Sequence, residues 1–311
     1  MLTHVVVVLS FRGRDDTLEC LASLLDPPHD YSVLVVDNGS FDGVLEEAIR
    51  RHPDVLTLQT GRNLGFAGGM NAGLRWAIER GAGTVTVLNN DTVCSPPEIE
   101  ALERAASRGA VVSPQVNYLA APGSVWFGGG VVDADTALPR HLSETELAAL
   151  PPLDCAPTET LAGCCLTARA DVWRHVGLFD ERYFLLFEDA DLSLRAARLG
   201  IPLLVRRDIR ILHRVSASFT GEFGYLGLYF YARNGLLFGA STGAGRMVRA
   251  RFLRRHVVPV LGRDVRERDL GRLARHGAAL ATALVDYATG RFGEAPRWLQ
   301  HRARAWTGTG S

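Results

Sequence analysis

Apolar residues along this chain come in short dense blocks separated by polar punctuation. Val5-Val6-Val7-Val8-Leu9 is an unbroken run rich in β-branched residues, the pattern of a strand buried on both faces of a sheet. Leu18, Leu21, Leu24 and Leu25 follow at helical spacing. Residues 31–36 read as a second buried strand, ending in Asp37-Asn38-Gly39-Ser40. The same alternation predicts a helix over 44–52, a strand over 55–58, a helix over 68–80, a strand over 84–88 ending at Asn89-Asn90-Asp91, and a helix over 97–108. Strand and helix in turn are the signature of an α/β domain with parallel strands.

From 120 to 158 the pattern weakens into Gly, Pro and Ala, as in a loop-rich insertion with short strands. Order returns over 160–168. Helices are expected over 171–176 and 188–199, the second closed by Gly200 and Pro202. Short strands are expected over 203–205 and 210–212, with His213 after them, and helices from 224 onward.

In open α/β sheets ligands bind beyond the carboxyl ends of the strands. Ser10, Asp37, Arg62, Asn63, Asn89, Asn90 and Asp91 all stand at such ends, so they can converge on one ligand. Each has a plainer reading. Asn38-Gly39 supplies the positive φ of a tight turn, while Asp37 could instead accept from a nucleobase N–H. The stretch from Gly65 to Gly73 opens a helix and suits a close backbone approach or an anion. It is neither the dinucleotide fingerprint nor a P-loop. Asn89-Asn90-Asp91 offers a carboxylate and amide oxygens to a hard divalent cation, or caps a helix.

Glu188-Asp189-Ala190-Asp191 packs three carboxylates into four residues, directly after Phe184-Leu185-Leu186-Phe187. A helix dipole accounts for one or two of them. It does not account for their abutting an apolar run, where a partly desolvated carboxylate suits general-base work. His213 gains a role only if it faces Asp91, where it could complete a metal site.

Composition narrows the classes. The formal net charge of the 311 residues is zero, which gives no reason to expect a nucleic acid partner. All 34 basic residues are Arg. Five cysteines at irregular spacing include no C-x-x-C pair, as expected of buried thiols in a reducing cytoplasm rather than a zinc site or disulfide framework. The first residues do not read as a signal peptide, and no apolar run reaches the ~18 residues of a spanning helix.

Taken in order, the strand at 5–9, VVDNGS, RNLGFAGGMNAGL, LNND, the segment GCCLTARADVWRHVGLFDERYFLLFEDADLSLRAARLG and ILH resemble the inverting glycosyltransferases of family 2, with their GT-A fold. The likeness is greatest to the branch holding bacterial rhamnosyltransferases and galactofuranosyltransferases, and covers residues 4–240 or so. It implies a GT-A catalytic domain over 1–222, with a nucleotide-binding half to about 115 and an acceptor half after it, and a C-terminal helical region over 223–311.

The resemblance implies roles. Asp37 reads the pyrimidine base; Ser10, Arg62, Asn63, Gly65, Asn71 and Asn90 line the nucleotide. Asp91 and His213 hold a divalent cation, magnesium or manganese, with Asn89 standing where the family's motif has an acid. Asp189 is the base and Glu188 contacts acceptor hydroxyls. Asp191 orients or caps, and Trp126 and Arg233, the last in a Y-x-R-N element at 231–234, belong to the acceptor side. The implied donor is dTDP-rhamnose, or a uridine-diphospho-hexose or galactofuranose. The implied acceptor is a glycan, a lipid-linked saccharide or a small molecule, and the setting cell-wall or polysaccharide biosynthesis.

Residues 246–275 hold ten Arg against Asp264, Glu267 and Asp269, with apolar residues interleaved. Such a segment is either a solvated helical face or suits an anionic membrane surface, which would place the protein peripherally at the inner face of a membrane. Two other classes are weighed. A non-catalytic nucleotide-sugar binder would fit Asn89 but not an intact Glu188-Asp189 pair. A nicotinamide dehydrogenase would need glycines where Ser10-Phe11-Arg12-Gly13 follows the first strand.

Overall fold

The computed structural model describes residues 2–26, 28–151, 153–215 and 223–307. The chain divides into two units. The first holds the described residues of 1–131, 140–180 and 188–215, and the second those of 132–139, 181–187 and 216–311.

The first unit begins with the predicted alternation: β1 (His4–Ser10), α1 (Arg14–Leu24), β2 (Ser32–Asp37), α2 (Val44–Arg51), β3 (Leu56–Gln59), α3 (Gly65–Glu79) and β4 (Thr84–Asn89). A two-residue β5 (Thr92–Val93), α4 (Pro96–Ala106), β6 (Val111–Tyr118) and β7 (Ala121–Phe127) follow. The insertion carries β8 (Gly130–Val132), β9 (Pro139–His141), α5 (Glu144–Ala149) and β10 (Cys155–Pro157). β11 (Cys165–Arg169), α6 (Ala170–Val176), α7 (Glu188–Arg198) and β12 (Leu203–His213) complete the series before the C-terminal helices.

One sheet runs in the order β10-β12-β6-β11-β4-β1-β2-β3, with β5 on β12 and β7 on β6. Every residue of β1 is buried, as its β-branched run requires. β3, β2, β1 and β4 are mutually parallel. β11 enters antiparallel between β4 and β6, so the sheet is mixed and, as expected of this fold, mostly parallel. The sheet also passes through both expected halves without a break, and the boundary expected at 222 falls outside the described residues.

Register sets the site. Ser10 pairs with Asp37, Asp37 with Gln59, and Leu9 with Asn89, so the ends of these four strands lie level with one another. The glycines of α3 serve this packing. A Cβ on Gly73 would lie 2.3 Å from Val7 Cγ1, and one on Gly69 would lie 2.6 Å from Leu9 Cδ1. These glycines bring the helix onto β1 rather than opening a path to a ligand.

Two strands depart from the sequence pattern. β6 was not visible in it, because Ser113-Pro114-Gln115 interrupts the apolar run. The strands expected at 203–205 and 210–212 are one strand, β12, whose register against β6 shifts between Arg206 and Arg210. The extra residues form a bulge in which Arg206 pairs with Asp208 at the surface.

The second unit contains α8 (Phe223–Ser241), α9 (Arg246–Phe252), one π-helical turn over Leu253–Val257, α10 (Val258–Arg266), α11 (Leu270–Thr289) and α12 (Arg297–Thr307). Asp264 on α10 is fully buried, where its carboxylate accepts from Arg272 Nε at 2.8 Å and His276 Nδ1 at 2.6 Å on α11. Pairing makes that burial tolerable. Among the described residues no helix is long and apolar enough to cross a membrane.

Candidate active site

The rim formed by β1, β2 and the loop after β3 is internally satisfied. Asp37 is buried, and its carboxylate accepts from Ser40 N–H at 2.8 Å, Phe41 N–H at 3.1 Å and Gln59 Nε2 at 2.7 Å. Three of about four lone-pair positions on a carboxylate are thereby taken. Asn38 pins the next loop: Nδ2 donates to Asn63 Oδ1 and Gly65 O, and Oδ1 accepts from Leu64 N–H. Gly39, at φ 79°, lets that loop close down, since a Cβ there would lie 2.4 Å from the Arg62 carbonyl carbon.

Several residues expected to line a nucleotide also tie the local fold together. Ser10 is fully buried and accepts from Thr17 Oγ1 at 2.9 Å. Asn90 Nδ2 donates to Gly13 O and Thr17 Oγ1, fixing the start of α1. Asn71 is buried on α3, with Nδ2 donating to Phe179 O at 2.9 Å and Oδ1 accepting from Phe179 N–H at 3.0 Å. That pair of bonds joins α3 to the loop after α6 and commits both ends of the amide. Gly65 gives its N–H to Asn63 Oδ1. Arg62 is exposed, with no ion-pair partner among the described residues.

The neighbouring rim is built differently. β5 pairs antiparallel with β12, placing His213 opposite Thr92, and Arg214 N–H donates to Asp91 O at 2.9 Å. This brings His213 Nε2 to 2.9 Å from Asp91 Oδ1, as the sequence required for His213 to have a role. Both side chains are largely buried. Arg214 turns outward to Asp16 and Glu19. Asp16 nevertheless titrates above its ordinary value, through burial and then the Asp91 charge, against the pull of Arg214.

Asn89 N–H donates to Cys164 O at 2.8 Å, which sets the start of β11 beside the end of β4. There, Gly163 N–H donates to Asp189 Oδ2 at 2.9 Å, and Ala190 N–H donates to Asp189 Oδ1 at 2.7 Å. Ser193 Oγ donates to Asp189 O and accepts from Leu161 N–H, fixing the first turn of α7 to the same stretch. Gly163 is tight here: a Cβ would lie 3.2 Å from Asp189 Cβ.

Burial raises the Asp189 pKa from its ordinary value, opposed by the two N–H donors and by His141. Glu188 is 6% exposed. Burial, and next the Asp189 charge, push it up to about 8. Glu188 therefore keeps its proton near neutrality, beside a second carboxylate that burial also pushes up.

Among the described residues, four buried side-chain atoms lack a hydrogen-bond partner, and three of them are Asn89 Oδ1, Glu188 Oε2 and His213 Nδ1. Orphaned buried polar atoms are costly. Three of them belong to residues at or beside the strand ends, and a ligand there could satisfy them. A carboxylate, an imidazole and an amide oxygen suit a hard or borderline divalent cation. Among the described residues, no three His, Cys, Asp or Glu side chains cluster as a ready-made cage, so an ion here needs oxygens from a ligand as well.

The other predicted residues act at one remove. Asp191 is buried and accepts from Arg195 Nε at 2.7 Å, while Arg195 donates to Val176 O and Leu178 O. Trp126 packs edge-on to the His213 ring, with centroids 5.0 Å apart, and to His141 at 4.7 Å. Arg233 was expected on the acceptor side, but it is fully buried within the second unit. His141 was missed. Its Nδ1 donates to Trp126 O at 2.9 Å, and desolvation holds its pKa down against the charge of Asp189. It lies in the weakly periodic insertion, where a lone His carries no sequence signal.

The glycosyl transferase family 2 model matches residues 5–129. An N-acetylglucosaminyl-diphospho-decaprenol L-rhamnosyltransferase of Mycobacterium tuberculosis is 33% identical over 70% of this chain and 77% of its own length. Among solved structures, the mannosyltransferase PcManGT from Pyrobaculum calidifontis, in complex with GDP-Man and Mn2+, aligns with a TM-score of 0.52 at 18% identity over 99% of this chain and 84% of that one. GalNAc-T7 with UDP, GalNAc and Mn2+ aligns with a TM-score of 0.56 at 15% identity over 85% of this chain, which spans 57% of it. The likeness to these structures supports the GT-A fold. With the curated relative and the family model in agreement, the chain is a glycosyltransferase and belongs to glycosyltransferase family 2.

Proposed function

We propose that this enzyme moves a hexose, with rhamnose from dTDP-rhamnose the favoured donor, onto an acceptor hydroxyl by a single inverting displacement. The observation that carries this reading is the Glu188–Asp189 pair, two buried or half-buried carboxylates with raised pKa values. Asp189 takes the proton of the acceptor hydroxyl as that oxygen bonds to the anomeric carbon. The bond from that carbon to the diphosphate oxygen breaks, and the diphosphate leaves with the electron pair. No enzyme nucleophile is needed, so configuration inverts. Glu188 keeps its proton near neutrality and can donate a hydrogen bond to the acceptor. The mycobacterial relative's name supports rhamnose as the sugar and a diphospho-lipid saccharide as the acceptor class.

Asp91 and His213, with Asn89, would hold a magnesium or manganese ion. Such an ion neutralises charge developing on the departing diphosphate. A lipid-linked acceptor accords with peripheral contact at the inner face of a membrane. Arg246, Arg254, Arg263, Arg266 and Arg268 are exposed without ion-pair partners among the described residues. On the same segment Met247, Val258, Val265 and Leu270 are exposed.

The test is thermal unfolding with the diphosphates of thymidine, uridine and guanosine, each with and without Mn2+. Ligand at ~100 times its Kd adds ~2.7 kcal/mol, a shift of about 5 °C. The expected result is a shift with dTDP that needs Mn2+ and disappears in Asp91→Asn. A shift with UDP instead would move the donor to a uridine-diphospho-hexose. No shift with any of the three, or one untouched by Asp91→Asn, would overturn the metal-dependent reading.

A further inference from the structure

The four residues before Glu188 have an uncommon backbone. Phe184, Leu186 and Phe187 have φ values of 62°, 73° and 72°, the left-handed region that non-glycine residues rarely occupy. Such backbone persists only where its surroundings over-determine it. Within the second unit α8 supplies most of the contacts to this stretch, and Gly293 N–H adds one to Arg182 O at 2.7 Å.

Asn234 on α8 is fully buried, and its Nδ2 donates to Tyr183 O at 2.7 Å, Leu185 O at 2.7 Å and Leu186 O at 3.1 Å. Its Oδ1 accepts from Arg233 Nε at 2.9 Å. Arg233 is also fully buried, and its second terminal nitrogen donates to Arg182 O and Tyr183 O. The guanidinium is anchored in turn: it donates to Tyr229 Oη at 2.8 Å, and Tyr229 donates to Asp286 Oδ2 on α11 at 2.8 Å. Phe184 stacks on Phe230 with rings 8° from parallel, and Phe187 packs on Tyr231 and Phe238. A burial requirement alone would be met by apolar side chains. Here one amide gathers three carbonyls of one bend, the bend whose last residue starts the helix carrying both carboxylates.

The geometry points to Asn234, backed by Arg233, as a positioning pair for Glu188 and Asp189, holding the bend with left-handed Phe184, Leu186 and Phe187 from which α7 begins. Neither residue touches the reacting atoms; they act through the bend. The inference rests on Asp189 being the base, and it deepens that reading by adding residues more than forty positions away in sequence.

The test compares Asn234→Ala with the parent by hydrogen exchange across 182–190, which needs no substrate. It also compares turnover of dTDP-rhamnose with N-acetylglucosaminyl-diphospho-decaprenol. The expected result is at least ~10-fold faster exchange in that stretch, unchanged exchange in the central strand 84–89, and at least a ~10-fold lower kcat with the donor KM within about twofold. Adding Leu186→Gly, a residue at ease with positive φ, should recover most of the kcat. A folded Asn234→Ala protein with either exchange or kcat unchanged overturns the proposal, as does a lack of recovery with Leu186→Gly. If Asn234→Ala does not fold, the double variant takes its place, and its failure to fold would show a role in global stability instead. Asp189→Asn serves as the separating control: if it keeps transfer, the base assignment falls while the exchange result still reports on the bend.

Discussion

The two rims of the sheet use the same residue types and treat them oppositely. At Ser10, Asp37, Asn38, Asn63 and Asn90 the side chains bond to neighbouring backbone and hydroxyls. At Asn89, Glu188 and His213 buried polar atoms have no protein partner. The first rim shapes a loop surface, with Arg62 left exposed beside it. The second holds polar atoms with no partner among the described residues and carboxylates whose pKa values burial raises. Strand-end position alone therefore does not identify a contact residue. What separates the two is whether the local fold already uses the group.

The contrast can be broken first at Glu188. Its pKa in the folded chain lies above the ordinary value of 4.5, at about 8. Between those values the native state keeps a proton that the unfolded chain has released, so stability should fall as pH rises through that window. Glu188→Gln should flatten the slope and be the more stable protein at pH 8, by on the order of a few kcal/mol. Urea unfolding from pH 4.5 to 8.5 in the presence of a chelator reads this directly. A parent as steep as the variant would mean that Glu188 is solvated and ionised, and the two rims would no longer differ.

A smaller effect sharpens the comparison from the other side. Ser10→Ala removes a hydroxyl that accepts from Thr17. It should cost ~1 kcal/mol of stability and leave kcat and dTDP affinity within about twofold. A tenfold loss of dTDP affinity would restore Ser10 to the nucleotide and blur the distinction.

Much of the sheet was legible because β-branched runs such as Val5–Leu9 have one way to be buried. β6 was not, since Ser113-Pro114-Gln115 hides a strand whose pairing comes from β12 and β11 on either side. The Asp91–His213 pairing could be stated only as a condition, because 122 residues separate partners that β5 and β12 bring together. Asn71 and Arg233 have structural bonds that the sequence did not show, for a common reason. A polar side chain that ties two backbones together looks, in a sequence, like one that meets a ligand. His141 had no motif to betray it, and its relation to Asp189 exists only in the folded insertion.

The most direct test of the account is the kcat of Asp189→Asn, measured beside its affinity for dTDP with Mn2+. The substitution keeps the shape and an acceptor for Gly163 N–H, gives up the acceptor for Ala190 N–H, and removes the base. The account predicts transfer lower by ~10²–10⁴-fold, with dTDP affinity within about twofold of the parent. Transfer within tenfold of the parent would contradict it, and would move the proton's destination away from the head of α7.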